Sequence, residues 1–210
     1  MHRPVRLLFL VALVALAGCT IPVTETGNGG AVTPTATGLD DNTSGKQTAS
    51  PALGFEPADR IEVRVLDVVD GDTVNVRLPD GSEDTVRLVG IDTPEVHTET
   101  APSEFEGVPD TDAGRACLRA AGEDASASLD SRVDGEPVTL LVDPNTDRRG
   151  GYGRLLAYVS HDGQNVNYAL VEAGHARVYD TDFALREAFD SAETGAREAE
   201  RGLWQCQSPD

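Results

Sequence analysis

Within the stretch "RLVGIDTPE" the chain places Arg87, Asp92 and Glu95, with Thr93 and Pro94 between the two acids. Arg87 is flanked by Val86 and Leu88 and followed by Val89 and Ile91, so both faces of this strand read as buried. A buried guanidinium without a partner costs several kcal/mol, which means that Arg87 needs an anion close by. Two carboxylates from neighbouring turns can hold a hard cation through oxygen, a glutamate beside them can deprotonate water, and arginines can take phosphate oxygens in a bidentate fork. Phosphodiester hydrolysis needs those parts: a neutralised phosphate, an activated water and a stabilised pentacoordinate transition state. The sequence offers Asp72 and Asp92 as the carboxylates, Glu95 as the base, and Arg87 with Arg154 as the clamp.

Each residue also has a plainer reading. Asp72 lies in "VLDVVDGDTVNVRL", where Asp70-Gly71-Asp72 separates two alternating apolar runs like a hairpin turn. Aspartate makes up 21 of the 36 acidic residues, so roughly two Asp-x-Asp triplets are expected by chance. Three occur, at 70/72, 110/112 and 180/182, and the pair alone is no signal. Asp-Thr-Pro is ordinary loop chemistry. His97, His161 and His175 lack zinc-like spacing and read as surface or packing residues, and Tyr158, Phe183 and Trp204 read as core.

The elements that must position these residues follow from periodicity. Ile61, Val63 and Val65 alternate with polar residues, as do Val74, Val76 and Leu78, and a turn at Pro79-Asp80-Gly81 leads into "TVRLVGI", giving a three-strand meander. After a polar loop over 96–111, residues 113–133 have helical spacing, with Ala116, Leu118, Ala121, Ala125 and Leu129 on the apolar side. "EPVTLLVD" and "YGRLLAYVS" read as strands, "NVNYALVEAG" as a helix stopped by Gly174, and residues 183–201 as another helix. The expected fold is α+β: a five-stranded OB-fold-like barrel with about three helices outside it.

Asp+Glu outnumber Lys+Arg by 36 to 17, Lys46 is the one lysine, and the formal charge is −19. Such a surface suits molar salt, where a Debye length of about 3 Å removes most self-repulsion, and we expect a halophilic protein. Its acidity therefore does not exclude a nucleic-acid substrate, because a local arginine cluster can still hold phosphate. At the N-terminus Arg3 and Arg6 precede an apolar run and Leu16-Ala17-Gly18-Cys19, which reads as a lipoprotein signal over 1–19 with Cys19 as the lipid-bearing residue; an ordinary signal peptide with a chance cysteine is the alternative. Residues 20–54 are rich in Thr, Ser and Gly and read as a disordered linker, leaving 55–210 as one domain. The expected location is the outer face of the membrane, lipid-anchored or secreted. Cys117 and Cys206 are then an even pair in an oxidising compartment, either a disulfide or two buried thiols.

Three segments in order, "VVDGDTVNV", "VRLVGIDTPE" and "GYGRLLAYV", resemble the staphylococcal nuclease (thermonuclease) family, and the similarity runs over residues 60–204, through "NYALVEAGHARVY" to "GLW". The resemblance implies that Asp72, Asp92 and the Thr93 carbonyl bind Ca²⁺, that Glu95 is the general base, and that Arg87 and Arg154 contact the scissile phosphate. It implies a monomeric enzyme that cleaves single- or double-stranded DNA and RNA, leaving 3′-phosphate and 5′-hydroxyl ends, with Tyr152 and Tyr179 as substrate-binding residues. The resemblance breaks in two places: "DRRGGYGR" is three residues longer than the family's segment before Arg154, and Asp180 and Asp182 stand where a second stacking tyrosine falls, just after Tyr179. Two other functions fit the composition: an OB-fold module that binds oligonucleotides without cutting them, and a lipoprotein whose acidic surface stores cations.

Overall fold

The computed structural model describes residues 54–208. The leader with Cys19, and all of the linker except Gly54, lie outside the described residues. The elements are β1 (Asp59–Asp70), β2 (Thr73–Arg77), β3 (Glu83–Leu88), β4 (Ile91–Asp92), α1 (Asp112–Val133), β5 (Pro137–Val142), β6 (Leu155–His161), β7 (Gln164–Asn165), α2 (Val166–Glu172), β8 (Arg177–Val178) and α3 (Arg186–Glu198).

Strands run in the order β3-β2-β1-β5-β6, and a parallel pairing of β3 with β6 closes the barrel, with the helices packed outside. β1 serves two neighbours: Asp59 to Arg64 pair with β5, and Arg64 to Asp70 pair with β2. Register breaks at Val65/Asp67 and Val68/Asp70 supply the bend such a double role requires. Val63, Val65, Val74, Val76, Val86 and Leu88 fill the interior, as the alternation in the first three strands demands.

Four expectations need correction. The third strand is not continuous to Ile91. It ends at Leu88, and Gly90 takes φ 79° where a Cβ would lie 2.8 Å from the Phe183 ring; Ile91 and Asp92 then pair with β8 instead. Ala116 is exposed, because α1 buries Gly114, Leu118, Ala121, Gly122, Ala125, Leu129 and Val133, and a residue two positions before Leu118 lies about 200° away around the helix. The last helix is shorter than 183–201, spanning Arg186–Glu198, with Phe183 turned into the core ahead of it. The polar loop at 96–111 contains a short 3₁₀ turn and buries Phe105 and Val108 in a second apolar cluster with Leu118, Leu203, Trp204 and Cys206. A disulfide joins Cys117 and Cys206 across this cluster, with Cα atoms 5.6 Å apart. Among the described residues no helix is long and apolar enough to cross a membrane.

α1 approaches the segment after β4 unusually closely. A Cβ on Gly122 would lie 2.5 Å from the Pro94 carbonyl oxygen, and one on Gly71 would lie 2.7 Å from both the Ala125 Cβ and the Thr93 Oγ1. The missing side chains at Gly71 and Gly122 let the helix clamp the β1–β2 turn against residues 93–94.

Candidate active site

The β1–β2 turn presents Asp72. The Asp70 carboxylate accepts the Asp72 amide at 3.1 Å, an Asx-type bond that shapes the turn. The Asp72 side chain is 1% exposed. Its Oδ1 accepts the Thr73 hydroxyl at 3.0 Å and meets Arg87 Nη1, while its Oδ2 accepts the Thr93 amide at 3.0 Å and the Thr93 hydroxyl at 3.3 Å. A carboxylate offers about four acceptor positions, so Asp72 is fully engaged.

Arg87 joins the two carboxylates. From β3 its Nη2 donates to Asp92 Oδ1 at 2.6 Å while Nη1 faces Asp72. The other Asp92 oxygen, Oδ2, accepts Nε and Nη2 of Arg177 at 3.0 and 2.7 Å, because the antiparallel β4–β8 pairing sets Asp92 opposite Arg177. Behind this segment, buried Asn167 on α2 donates to the Val89 carbonyl at 3.0 Å and accepts the Val159 amide at 2.9 Å, tying the chain ahead of β4 to the barrel wall.

Glu95 follows in the loop, where its amide donates to the Thr100 hydroxyl at 2.7 Å. Burial, and next the negative charge of Asp70, push its carboxyl above the usual range, against the pull of Arg87. A glutamate held this way keeps its proton to a higher pH than an exposed one and is a stronger base once ionised.

An open groove of about 830 Å³ runs over the site, lined among others by Arg87, Asp92, Arg149, Tyr152, Arg154 and Tyr179. Glu95 opens onto a different, smaller cavity of about 270 Å³ that also contains Thr100, Arg115 and Arg119. The groove's far wall is a hairpin in the extended segment before β6: Gly150 donates to Arg154 O at 3.0 Å and Gly153 to Gly150 O at 2.8 Å. Arg148 and Arg149 pin this hairpin to the barrel through Asp59 at 2.8 Å and Asp84 at 2.6 Å. At its tip Tyr152 is 91% exposed, and Arg154 lies 5.6 Å from the Tyr152 ring centroid. Arg154 donates to Thr73 Oγ1 at a long 3.4 Å and forms no carboxylate pair among the described residues. Tyr179 is half exposed on the groove beside Arg177.

Asp72, Thr93, Arg87 and Asp92 thus meet in one bonded cluster, with Glu95 near enough to feel Arg87 and Asp92. Arg154, Tyr152 and Tyr179 face the groove alongside it. The donors fit a hard cation in kind, since every candidate ligand atom is oxygen and the two carboxylates converge on one positive group. That group is Arg87. Among the described residues no set of three or more acidic, histidine or cysteine side chains is grouped to hold a metal.

Arg177 escaped the sequence reading, although the signal was of the kind that exposed Arg87: an arginine between apolar Ala176 and Val178, both buried. Phe105, whose ring lies 5.3 Å from the Arg177 guanidinium, carried no signal beyond being apolar in a polar loop.

Residues 85–206 match the staphylococcal nuclease homologue family, a span that contains Arg87, Asp92, Thr93, Glu95 and Arg154. The chain is 36% identical over 148 residues to an uncharacterized protein of Methanocaldococcus jannaschii, covering 67% of this chain and 70% of that one. It is 35% identical over 147 residues to the SPbeta prophage-derived endonuclease YokF of Bacillus subtilis, covering 69% of this chain and 44% of YokF. With the thermonuclease of Staphylococcus hyicus it shares 28% identity over 155 residues, 73% of this chain and 81% of that enzyme. A closed barrel that carries this arginine–carboxylate cluster, matched over more than half its sequence, therefore belongs to the staphylococcal nuclease homologue family.

Proposed function

We propose that this chain is a Ca²⁺-dependent nuclease that hydrolyses phosphodiester bonds of DNA, RNA or both, leaving 3′-phosphate and 5′-hydroxyl ends. The observation that carries the proposal is the convergence of Asp72 and Asp92 on Arg87, beside a glutamate whose carboxyl is pushed above its ordinary range. A module that only bound oligonucleotides would need a basic groove but not this set.

Asp72, Asp92 and the Thr93 carbonyl would hold the cation. When bound there, Ca²⁺ supplies positive charge against the phosphate. Arg87 would turn its fork onto phosphate oxygens, and Arg154 would reach the same group from the groove wall. Ionised Glu95 takes a proton from water that enters through the smaller cavity. The water oxygen attacks phosphorus as the bond to the 5′ oxygen breaks; that oxygen takes a proton from solvent and leaves as the hydroxyl, and Glu95 returns its own proton to solvent. Arg87 and Arg154 neutralise the charge that builds on the equatorial oxygens. Tyr152 stacks on a base at the groove rim.

The wider reading, also proposed, is a mature chain beginning at Cys19, lipid-anchored or secreted, and working in high salt. Nucleic-acid binding ordinarily weakens as salt rises, whereas a chain of charge −19 gains from screening. The deciding experiment incubates the protein with single-stranded DNA and with RNA in molar salt, with and without Ca²⁺, and identifies the product ends. Metal-dependent cleavage to 3′-phosphates is the expected result. Retained oligonucleotide binding with no cleavage overturns the proposal in favour of a binding module.

A further inference from the structure

We propose that Arg177 is a positioning residue for Asp92, which fixes the carboxylate's rotation and thereby sets the cation affinity of the site. The inference rests on the reading of Asp92 as a cation ligand. The two oxygens of Asp92 have different partners: Oδ2 accepts two donors from Arg177, at 3.0 and 2.7 Å, while Oδ1 is turned toward Arg87 and, through it, toward Asp72. A carboxylate gripped twice on one oxygen cannot rotate freely about its side-chain bonds. Its other oxygen is therefore held on the side where the second carboxylate lies.

Arg177 is itself held from behind. The β4–β8 register places its backbone opposite Asp92, and its guanidinium lies over the Phe105 ring at 5.3 Å. Phe105 is 1% exposed in the cluster that the Cys117–Cys206 disulfide crosses. A guanidinium held over a buried ring, with the Tyr179 ring 5.9 Å away as well, has little freedom to swing its donors off the carboxylate. The grip matters most when Arg87 turns to phosphate, because Arg177 is then the one arginine among the described residues still bonded to Asp92. Nothing in this role requires Arg177 to touch substrate.

Arg177→Lys isolates the geometry, since lysine keeps the charge but loses the planar fork. Calorimetric titration of the full chain with Ca²⁺ alone, without nucleic acid, is the readout. We expect Arg177→Lys to weaken Ca²⁺ affinity about 10- to 100-fold, with the melting temperature in chelator close to the parent's. Phe105→Leu, which keeps Arg177 and its charge but removes the nearer of its two aromatic faces and leaves Tyr179, should weaken Ca²⁺ binding by less, and it carries the test alone if the lysine variant does not fold. If the parent binds Ca²⁺ and the variants bind as tightly or more tightly, Arg177 does not position Asp92. A lower melting temperature at parental Ca²⁺ affinity likewise assigns Arg177 to packing alone. A parent that binds no Ca²⁺ overturns the cation-ligand reading and the inference together.

Discussion

The two walls of the groove are built on opposite plans. On the carboxylate side Asp72, Asp92, Arg87 and Arg177 saturate one another, and barrel strands, Asn167 and the close-packed α1 hold them from behind. On the hairpin side Tyr152 stands in solvent and Arg154 has one long hydrogen bond, while the anchoring pairs, Arg148–Asp59 and Arg149–Asp84, lie at the hairpin's base. Charge that must stay put is placed on rigid elements, and contacts that must accept different nucleotides are placed on an adaptable loop. Changes on the first wall should therefore cost stability or rate, and changes on the second, Arg154 included, should leave stability untouched while costing binding at Tyr152 and rate at Arg154.

The largest effect should come from Glu95→Gln. It keeps size and removes the basic oxygen, so turnover should fall by ~10²–10⁴-fold, measured as initial cleavage rate at saturating substrate. A variant that cuts at the parental rate would remove the general-base assignment. The pH dependence carries a sign. The folded-state pKa of Glu95 is raised above 4.5, chiefly by burial, so the folded chain holds this proton to higher pH than the unfolded chain does. Stability is lost as pH rises from 4.5 through the raised value. Glu95→Gln should therefore melt higher than the parent at pH 7, and the gap should close on approaching pH 4. The parental rate should fall on acidification with a midpoint above 4.5.

Arg87→Met comes next. It leaves Asp72, 1% exposed, without its cationic partner, and uncompensating a buried charge costs about 3–5 kcal/mol. Denaturant unfolding in molar salt should show the loss, and Arg154→Met should not, because that guanidinium neutralises no carboxylate among the described residues. Equal midpoints for the two variants would mean that the walls do not differ in the way their contacts imply.

Local pattern exposed the first wall in part. Arg87 is legible because an arginine in an apolar strand demands an anion; that Asp72 and Asp92 supply it is not, because the sequence offers those carboxylates to a cation and Arg87 to phosphate. The barrel was legible because β1, β2 and β3 alternate cleanly. What local pattern could not carry was any pairing set by distant register. β4 and β8 are two residues each, too short to show a period, and the Arg177–Asp92 contact spans a separation of 85 residues. Ala116 was misplaced because α1 is rich in small residues, and alanine spacing marks a buried face far less sharply than leucine spacing. The break at Gly90 depends on Phe183, a residue in another part of the chain.

Behind the carboxylate wall, the disulfide closes a loop of 89 residues. Replacing both Cys117 and Cys206 with alanine should cost about 2–4 kcal/mol of unfolding free energy. The barrel core, which is a separate cluster, should keep its fold, so circular dichroism at low temperature should match the parent's. A double variant with an unchanged unfolding midpoint would show that the Phe105–Trp204 cluster needs no covalent closure.

Tyr152→Ala should have the smallest effect and is the cleanest probe of the second wall. The side chain is 91% exposed and its cation–π partner among the described residues is Arg154, 5.6 Å from the ring centroid, so removing it leaves no cavity and strands no buried group. The unfolding midpoint should stay where it was. A base stacked on an aromatic ring contributes about 1–3 kcal/mol, and an exposed tip on a Gly-Gly hairpin should give the lower end, a KM rise of about fivefold with kcat nearly unchanged. Arg154 supplies the control, because if Tyr152 acts by shielding or aiming that guanidinium through the cation–π contact, its loss will lower kcat as well. Tyr152→Phe separates the two roles further, since it preserves the stacking face and should restore the parental KM. A Tyr152→Ala protein with parental KM on single-stranded DNA would mean that the lengthened hairpin carries its tip away from the bases, leaving Tyr179 as the aromatic contact of the groove.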